Sequence, residues 1–187
     1  MIKFFILNLL KIFDYYYQKK LFNFLKKKGY DSFEIFFDIG AHKGESIKLF
    51  LKNFEIKKIF SFEPSNRNFE TLSRNLKFFI KRYKNTEIKI ENLALGSENK
   101  DIIIKHLSES SSSTINDINI NSKYFKKKSL LLYTKKNNEF YKEENTIQMK
   151  LNDYITNNKI QKIDFLKIDT EGYEMNVLLG LDNQFNK

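Results

Sequence analysis

Residues 34–44 read Glu-Ile-Phe-Phe-Asp-Ile-Gly-Ala-His-Lys-Gly, an apolar run that ends near Asp38 and is followed by two glycines four residues apart. A continuous apolar run is typical of a strand buried on both faces of a parallel sheet. Gly40 can adopt a positive φ and allows close approach to its backbone, and Gly44 lets the next helix pack near the strand with its amide donors facing a pocket. The stretch therefore predicts a strand, a turn and a helix at the edge of a ligand site, with a purely structural turn as the alternative.

A second stretch repeats this pattern: residues 163–174 read Ile-Asp-Phe-Leu-Lys-Ile-Asp-Thr-Glu-Gly-Tyr-Glu. Its apolar run stops at Asp169 and Glu171. We expect this strand to lie beside the Asp38 strand, about 5 Å away, where the strand order of an open sheet reverses and ligands bind. Lys167, inside the strand, is expected to pair with one of the acids. The alternative for Asp169 is that it caps the following helix.

Segments with strand and helix patterns alternate along the whole chain. The predicted strands are 33–39, 57–62, 87–95, 102–107, 146–151 and 163–168, and the predicted helices are 47–54, 69–80 and 174–181. Such alternation is typical of right-handed βαβ units. The sequence therefore predicts an α/β, Rossmann-like fold with a mostly parallel sheet.

Glu63 follows the second predicted strand and precedes Pro64. Doubly wound folds present an acid at this position to the two hydroxyls of a ribose. The alternative is a carboxylate at a helix start, favoured by the helix dipole. Because Glu63 lies one strand-helix-strand unit after Asp38, Gly40 and Gly44, we favour the ribose role.

The first 30 residues are predicted to form an amphipathic helix, and residues 31–187 to form the main domain. Apolar side chains recur there with a period near 3.6 residues. The members of this stripe are Ile6, Leu9, Leu10, Phe13, Tyr17, Leu21 and Phe24. We expect the stripe to pack on the domain or cover it as a lid; peripheral membrane contact is the alternative. No stretch has the length of a membrane span or the pattern of a signal peptide, so a cytoplasmic protein is expected.

The composition excludes several classes of function. With no cysteine and only His42 and His106 as imidazoles, a zinc enzyme or a cysteine nucleophile is not expected. The net charge of +10 comes mainly from lysine, in a sequence also rich in Asn, Ile, Phe and Tyr, as AT-rich codon usage produces. Few arginines and no clustered basic-aromatic motif argue against a nucleic-acid partner.

Five blocks in order resemble the motifs of FkbM-family methyltransferases. They are Phe36-Phe-Asp-Ile-Gly-Ala-His-Lys-Gly44, Phe62-Glu-Pro64 with Leu72 and Asn75-Leu76, Ala94-Leu-Gly96, Leu151-Asn-Asp153, and Asp164 to Glu174. The resemblance implies a class I methyltransferase fold, S-adenosylmethionine as cofactor, and O-methylation of a hydroxyl on a sugar, glycan or natural product.

The resemblance also implies roles for single residues. Asp38, Gly40 and Gly44, with Ala41 and His42 between them, would line the methionine end of the cofactor. Glu63 would hold the ribose, and Leu93 and Ala94 would lie near the adenine. His42 departs from the family pattern, which commonly has Asn there.

Asp169 and Glu171 are the predicted catalytic residues. An alcohol needs a base to take its proton when it attacks a sulfonium methyl. Either acid can be that base, orient the hydroxyl, or hold a divalent ion through its oxygens. His106 is a weaker candidate base, with an ordinary surface histidine as the alternative. The polar segment Ser110 to Thr114 is a candidate lid over the acceptor.

The chain ends shortly after the Asp169 strand and its helix. A methyltransferase sheet normally continues with three more strands, so the sequence predicts a C-terminally incomplete domain or a homodimer that covers the exposed strand edge. A nucleic-acid methyltransferase, favoured only by the basic charge, is the alternative among enzymes. A non-catalytic binding module with the same fold is the alternative from a different class.

Overall fold

A computed structural model describes residues 16–107, 113–115, 122–123 and 141–182. The eight strands in this part of the chain are β1 (Ser32–Ile39), β2 (Glu55–Phe62), β3 (Glu87–Glu91), β4 (Ala94–Gly96), β5 (Lys100–Leu107), β6 (Ser113–Thr114), β7 (Tyr141–Lys150) and β8 (Phe165–Ile168). The helices are α1 (16–27), α2 (Glu45–Asn53), α3 (Asn66–Arg82), α4 (Leu151–Asn157) and α5 (Glu174–Leu179). The candidate lid at Ser110 to Thr114 falls largely outside the described residues.

The first sheet has the order β3-β2-β1-β8, and all of its strands are parallel. The register places Asp38 between Ser61 of β2 and Lys167 of β8, so the two acid-bearing strands are neighbours as predicted. Among the described residues, β8 pairs with β1 alone and forms one edge. The α/β architecture and the parallel sheet confirm the predicted Rossmann-like fold.

The apolar run of β1 is buried on both faces. Phe36 packs with Phe50 of α2, whereas the next residue, Phe37, packs with Phe60 and Tyr154 on the opposite side. Successive strand residues point to opposite faces, so a strand covered by helices on both sides must be apolar throughout. This explains why the run has no polar residue before Asp38 within Ile35 to Phe37.

A second sheet of order β4-β7-β5-β6 was not predicted as a separate unit. β4 pairs with β7 in parallel, and β5 pairs with β7 and β6 antiparallel. The single strand predicted for residues 87–95 is wrong, because the chain turns at Asn92-Leu93 and its two halves, β3 and β4, join different sheets. The strand predicted for 146–151 begins earlier, at Tyr141, and stops at Lys150 because Leu151 begins α4.

The N-terminal helix packs on the domain, but through a different face from the described members of the predicted stripe. The other members, Ile6, Leu9, Leu10 and Phe13, lie outside the described residues. Phe22 and Leu25 are buried in the core beside α2, while Tyr17, Leu21 and Phe24 are exposed. The helix has two apolar faces, and the stripe alone does not reveal which one the core selects. No helix within the described part of the chain combines the length and apolar character needed to cross a membrane.

Candidate functional site

The turn after β1 draws three strand ends together. The backbone N–H groups of Gly40 and Ala41 both donate to the carbonyl oxygen of Phe62, at 3.0 Å each. Gly40 has φ of +80°, and a Cβ there would lie 2.0 Å from the carbonyl oxygen of Asp169. Only glycine satisfies both conditions, because other residues rarely adopt this φ and would clash with the Asp169 backbone. The turn therefore brings β1, β2 and β8 to one place.

Glu63 is almost fully buried at the end of β2, at 4% exposure. Its carboxylate accepts hydrogen bonds from the backbone N–H groups of His42, at 2.8 Å, and Ser65, at 3.0 Å, and from the Asn68 amide at 3.5 Å. Burial raises the pKa of Glu63, and the bonds from Ser65 and His42 oppose this shift. Oε1 accepts two of these bonds and Oε2 only one, so Oε2 retains the capacity to receive a hydroxyl hydrogen from a ligand.

Asp38 is completely buried and is paired with Lys167. The Lys167 ammonium lies 3.0 Å from Asp38 Oδ1 and 3.6 Å from Asp169 Oδ2, and it donates to the Gly40 carbonyl at 3.3 Å. Burial raises the pKa of Asp38, and the ammonium opposes this shift. The predicted pairing of Lys167 with the acids is confirmed. Lys167 joins the buried acid to the exposed one.

The segment that carries Asp169 and Glu171 is held by its own helix. Glu174 Oε1 accepts from the backbone N–H groups of Thr170, at 3.0 Å, and Gly172, at 3.1 Å, and from the Thr170 hydroxyl at 3.2 Å. The N-cap residue of α5 is Tyr173, so the alternative that Asp169 caps this helix is wrong. Asp169 and Glu171 are both exposed at this edge, with Asp169 side-chain exposure at 69%.

His42 lies in the turn with φ of +51°. Its Nδ1 is 3.2 Å from both carboxylate oxygens of Glu45, whereas its buried Nε2 has no hydrogen-bond partner among the described residues. Burial would raise the pKa of Glu45, but hydrogen bonds from His42 and from backbone N–H groups lower it to about 2. The ionised Glu45 favours a hydrogen on Nδ1, which leaves Nε2 as an acceptor when the ring is neutral.

These groups surround one cavity of about 320 Å³. The predicted residues that line it are Gly40, Ala41, His42, Glu63, Leu93, Ala94, Asp169 and Glu171. Two predicted cofactor residues do not line it. Asp38 is buried beneath it, and Gly44 is the N-cap of α2, where a Cβ would lie 2.9 Å from side-chain atoms of Leu72 and Phe79. Asp38 is linked to the cavity by Lys167, which pairs with it and lines the cavity.

Several lining residues had not been predicted, including Gln18, Glu45, Asn68 and Thr170. The spacing of Ser65 and Asn68 is a helix-capping signal, and Ser65 does accept from the Asn68 backbone N–H. That signal could have placed Asn68 beside Glu63. No local signal marks Gln18, which reaches the cavity because α1 packs on α2.

Other candidate residues lie elsewhere. His106 is not among the cavity residues; its Nε2 is 2.6 Å from Glu144, whose other oxygen accepts from the Asn66 backbone N–H. This contact joins the second sheet to the start of α3. Within the described residues, no group of three His, Cys, Asp or Glu side chains has the arrangement of a metal site.

Comparisons with known proteins identify a methyltransferase relationship. A family model described as the methyltransferase FkbM domain matches residues 38–187. Among solved structures, methyltransferase FkbM from Methylobacillus flagellatus KT is similar in fold, with a TM-score of 0.50 and 17% sequence identity. The match covers 80% of this chain but 29% of that chain. Curated proteins show no significant match to this sequence.

Proposed function

This chain belongs to the FkbM methyltransferase domain family, and we propose that it uses S-adenosylmethionine to methylate a hydroxyl group, on a sugar or glycan. The observation that carries the proposal is the single cavity shared by the glycine turn, Glu63, the Leu93-Ala94 segment and the acids after β8. In an open α/β sheet, ligands bind at the carboxyl ends of the strands.

The cavity residues suit a nucleoside-bearing cofactor. A volume of about 320 Å³ is at the small end of the range for small-molecule sites. Leu93, Ala94 and Ile104 supply an apolar surface for a base, and Glu63 supplies acceptors for ribose hydroxyls. Gly40 and Ala41 have small or no side chains, so they leave room for the methionine part of the cofactor. These residues would hold the cofactor, which when bound supplies an electrophilic methyl group on a sulfonium sulfur.

The chain's own contribution to the chemistry is to position the acceptor and remove its proton. A hydroxyl becomes an effective nucleophile when a base receives its hydrogen during attack on the methyl carbon. Asp169 is the proposed base, with Glu171 as the second candidate on the same edge. The Lys167 ammonium lies 3.6 Å from Asp169 Oδ2 and helps to hold this side chain at the cavity edge.

Cofactor binding is tested by calorimetry with S-adenosylhomocysteine on wild type, Glu63→Gln and Glu91→Gln. Glu63→Gln removes the negative charge that accepts ribose hydroxyls and is expected to weaken binding about tenfold or more. Glu91 ends the next strand and bonds to the Tyr154 hydroxyl at 2.9 Å, outside the cavity, so Glu91→Gln is the matched control. Equal affinities for folded Glu63→Gln and wild type would contradict the ribose role.

The catalytic assignment is tested by transfer of labelled methyl from S-adenosylmethionine to a panel of free sugars and nucleotide sugars. Asp169→Asn is expected to lower turnover by about 10² to 10⁴ while leaving affinity for S-adenosylhomocysteine within about threefold. Asp101→Asn, at an exposed position of β5, is the control. Full turnover by both Asp169→Asn and Glu171→Gln would contradict the role of these acids. Cofactor binding without transfer to any hydroxyl would instead support the non-catalytic binding module.

A further inference from the structure

Helix α1 presents an apolar surface that the described fold does not use. Its inward face is occupied by Phe22, whose ring lies 5.4 Å from that of Phe50 and 5.6 Å from that of Phe54, centroid to centroid. On another face, Tyr17, Leu21 and Phe24 are 65%, 45% and 56% exposed. We call these three residues the outer stripe. A helix needs only one apolar face to pack on its domain, so the outer stripe requires a separate explanation.

The outer stripe follows helical spacing. Residues separated by three or four positions lie on the same side of a helix, as Tyr17, Leu21 and Phe24 do. In the sequence, the same spacing continues backwards through Phe13, Leu10 and Ile6, which lie outside the described residues. The pattern is therefore longer than the three exposed residues themselves.

Between Asp14 and Asp31, the charges near the outer stripe are all positive. Residues 15–30 contain Lys19, Lys20, Lys26, Lys27 and Lys28 and no acidic residue. Two of these ammonium groups lie against exposed rings: Lys20 is 5.1 Å from the centroid of Tyr16, and Lys28 is 5.8 Å from that of Phe24. Pairing with a second copy through this face would bring the lysines of the two copies together. A negatively charged surface with an apolar layer beneath it has the complementary chemistry.

We propose that α1 docks on an anionic membrane surface, with the outer stripe inserted at the boundary between headgroups and acyl chains and the lysines at the headgroups. Amphipathic helices with apolar and lysine-rich surfaces bind membranes in this way, in the plane of the interface. Docking would also affect where the candidate site faces, because Gln18 of the same helix lines its cavity. The membrane-docked protein would hold that cavity close to the lipid surface.

The test is flotation of the full chain with phosphatidylcholine vesicles, with and without roughly 30 mol% phosphatidylserine. Binding is expected to the anionic vesicles and to be at least about tenfold weaker to the neutral ones, since each lysine near the surface contributes separately. Added salt is expected to weaken binding. No binding to anionic vesicles, or equal binding to both kinds, would overturn the proposal.

Matched variants distinguish binding through the outer stripe from non-specific binding of exposed apolar residues. Tyr17→Ser/Leu21→Ser/Phe24→Ser is expected to reduce anionic-vesicle binding about tenfold or more. Phe78→Ser/Ile80→Ser changes exposed apolar residues on α3, at 54% and 52% exposure, and is expected to leave binding unchanged. Lys20→Gln/Lys27→Gln provides a second variant, expected to weaken binding about fivefold or more.

Other outcomes identify other occupants. If the triple variant binds vesicles like wild type, the outer stripe is not the docking surface. If sedimentation without lipid instead shows a dimer that the triple variant abolishes, the partner is a second copy of the chain. Cofactor affinity is measured separately, so failure of membrane binding leaves the proposed methyltransferase function untouched.

Discussion

Gly40 is the residue on which the geometry of the candidate site depends most directly. It combines φ of +80° with a backbone approach by Asp169 that leaves no room for a Cβ. The same residue donates to Phe62 and accepts from Lys167. One glycine thus connects the three strands whose ends form the cavity.

Gly40→Ala is expected to destabilise the fold by about 3 kcal/mol or more, because backbone strain of about 1 to 2 kcal/mol adds to the steric overlap. Gly29→Ala is the matched control: Gly29 has a similar φ of +85° but open space around it. Only the strain of about 1 to 2 kcal/mol is expected there. Urea unfolding of both variants and wild type measures these changes in unfolding free energy. Similar losses would show that the close approach of Asp169 carries no separate cost.

At the scale of elements, the ion pair between β1 and β8 is the feature with the largest expected energetic effect. Asp38 is fully buried, and the neighbouring Lys167 provides its cation at 3.0 Å. Removing one partner of a buried pair leaves the other charge without compensation. The parallel register that sets Asp38 opposite Lys167 makes this pairing possible.

Lys167→Met is expected to lower the unfolding free energy by about 3 to 5 kcal/mol near neutral pH. Burial already raises the pKa of Asp38, and loss of the ammonium raises it further. A raised pKa in the folded state means that stability is lost as pH rises through that pKa. The stability difference between wild type and Lys167→Met is therefore expected to shrink as the pH falls below the raised pKa of Asp38, where this carboxyl is protonated. Urea unfolding across a pH series measures the change.

Two controls define this prediction. Lys57→Met breaks a pair with Glu34 at 2.7 Å whose side chains are 74% and 63% exposed, and it is expected to cost no more than about 1 kcal/mol. Asp38→Asn/Lys167→Met removes both charges and is expected to recover part of the loss. A double variant as unstable as Lys167→Met at all pH values would show that the unpaired carboxylate is not the cause.

At the scale of the whole molecule, the second sheet is attached where α5 meets β4. A Cβ on Gly180, just after α5, would lie 2.0 Å from the carbonyl oxygen of Gly96 and 3.1 Å from the backbone nitrogen of Leu151. The Gly180 carbonyl also accepts from the Asn152 backbone N–H at 2.8 Å. The helix that follows β8 therefore meets both β4 and α4. This contact supports the Leu93-Ala94 side of the cavity.

Gly180→Ala is expected to destabilise the protein by about 1 to 3 kcal/mol through overpacking. Gly180 has a right-handed helical backbone, with φ of −68°, where alanine would otherwise be favoured by about 1 kcal/mol. Leu179→Ala, at a 59% exposed position of the same helix, is expected to change stability by less than about 0.5 kcal/mol. Thermal unfolding compares the two, and a stabilised Gly180→Ala would contradict the packing argument.

The amino-acid sequence alone determined the parallel sheet and most of the cavity. Strands covered on both faces must be apolar, so polar groups such as Glu63 and Asp169 stand out where the strands end. The carboxyl ends of parallel neighbours meet at one edge, which is why these acids could be placed together before their contacts were known.

The tertiary structure alone decided which faces and side chains are buried and how the second sheet is built. It buried Asp38 beneath the cavity, divided residues 87–95 between two sheets, and exposed Tyr17, Leu21 and Phe24, which the sequence had favoured for packing. The spacing of apolar residues along a helix predicts its apolar faces, but not which of them packs against the core. That choice depends on contacts between residues far apart in the chain, such as Gln18 at the cavity and Lys167 opposite Asp38.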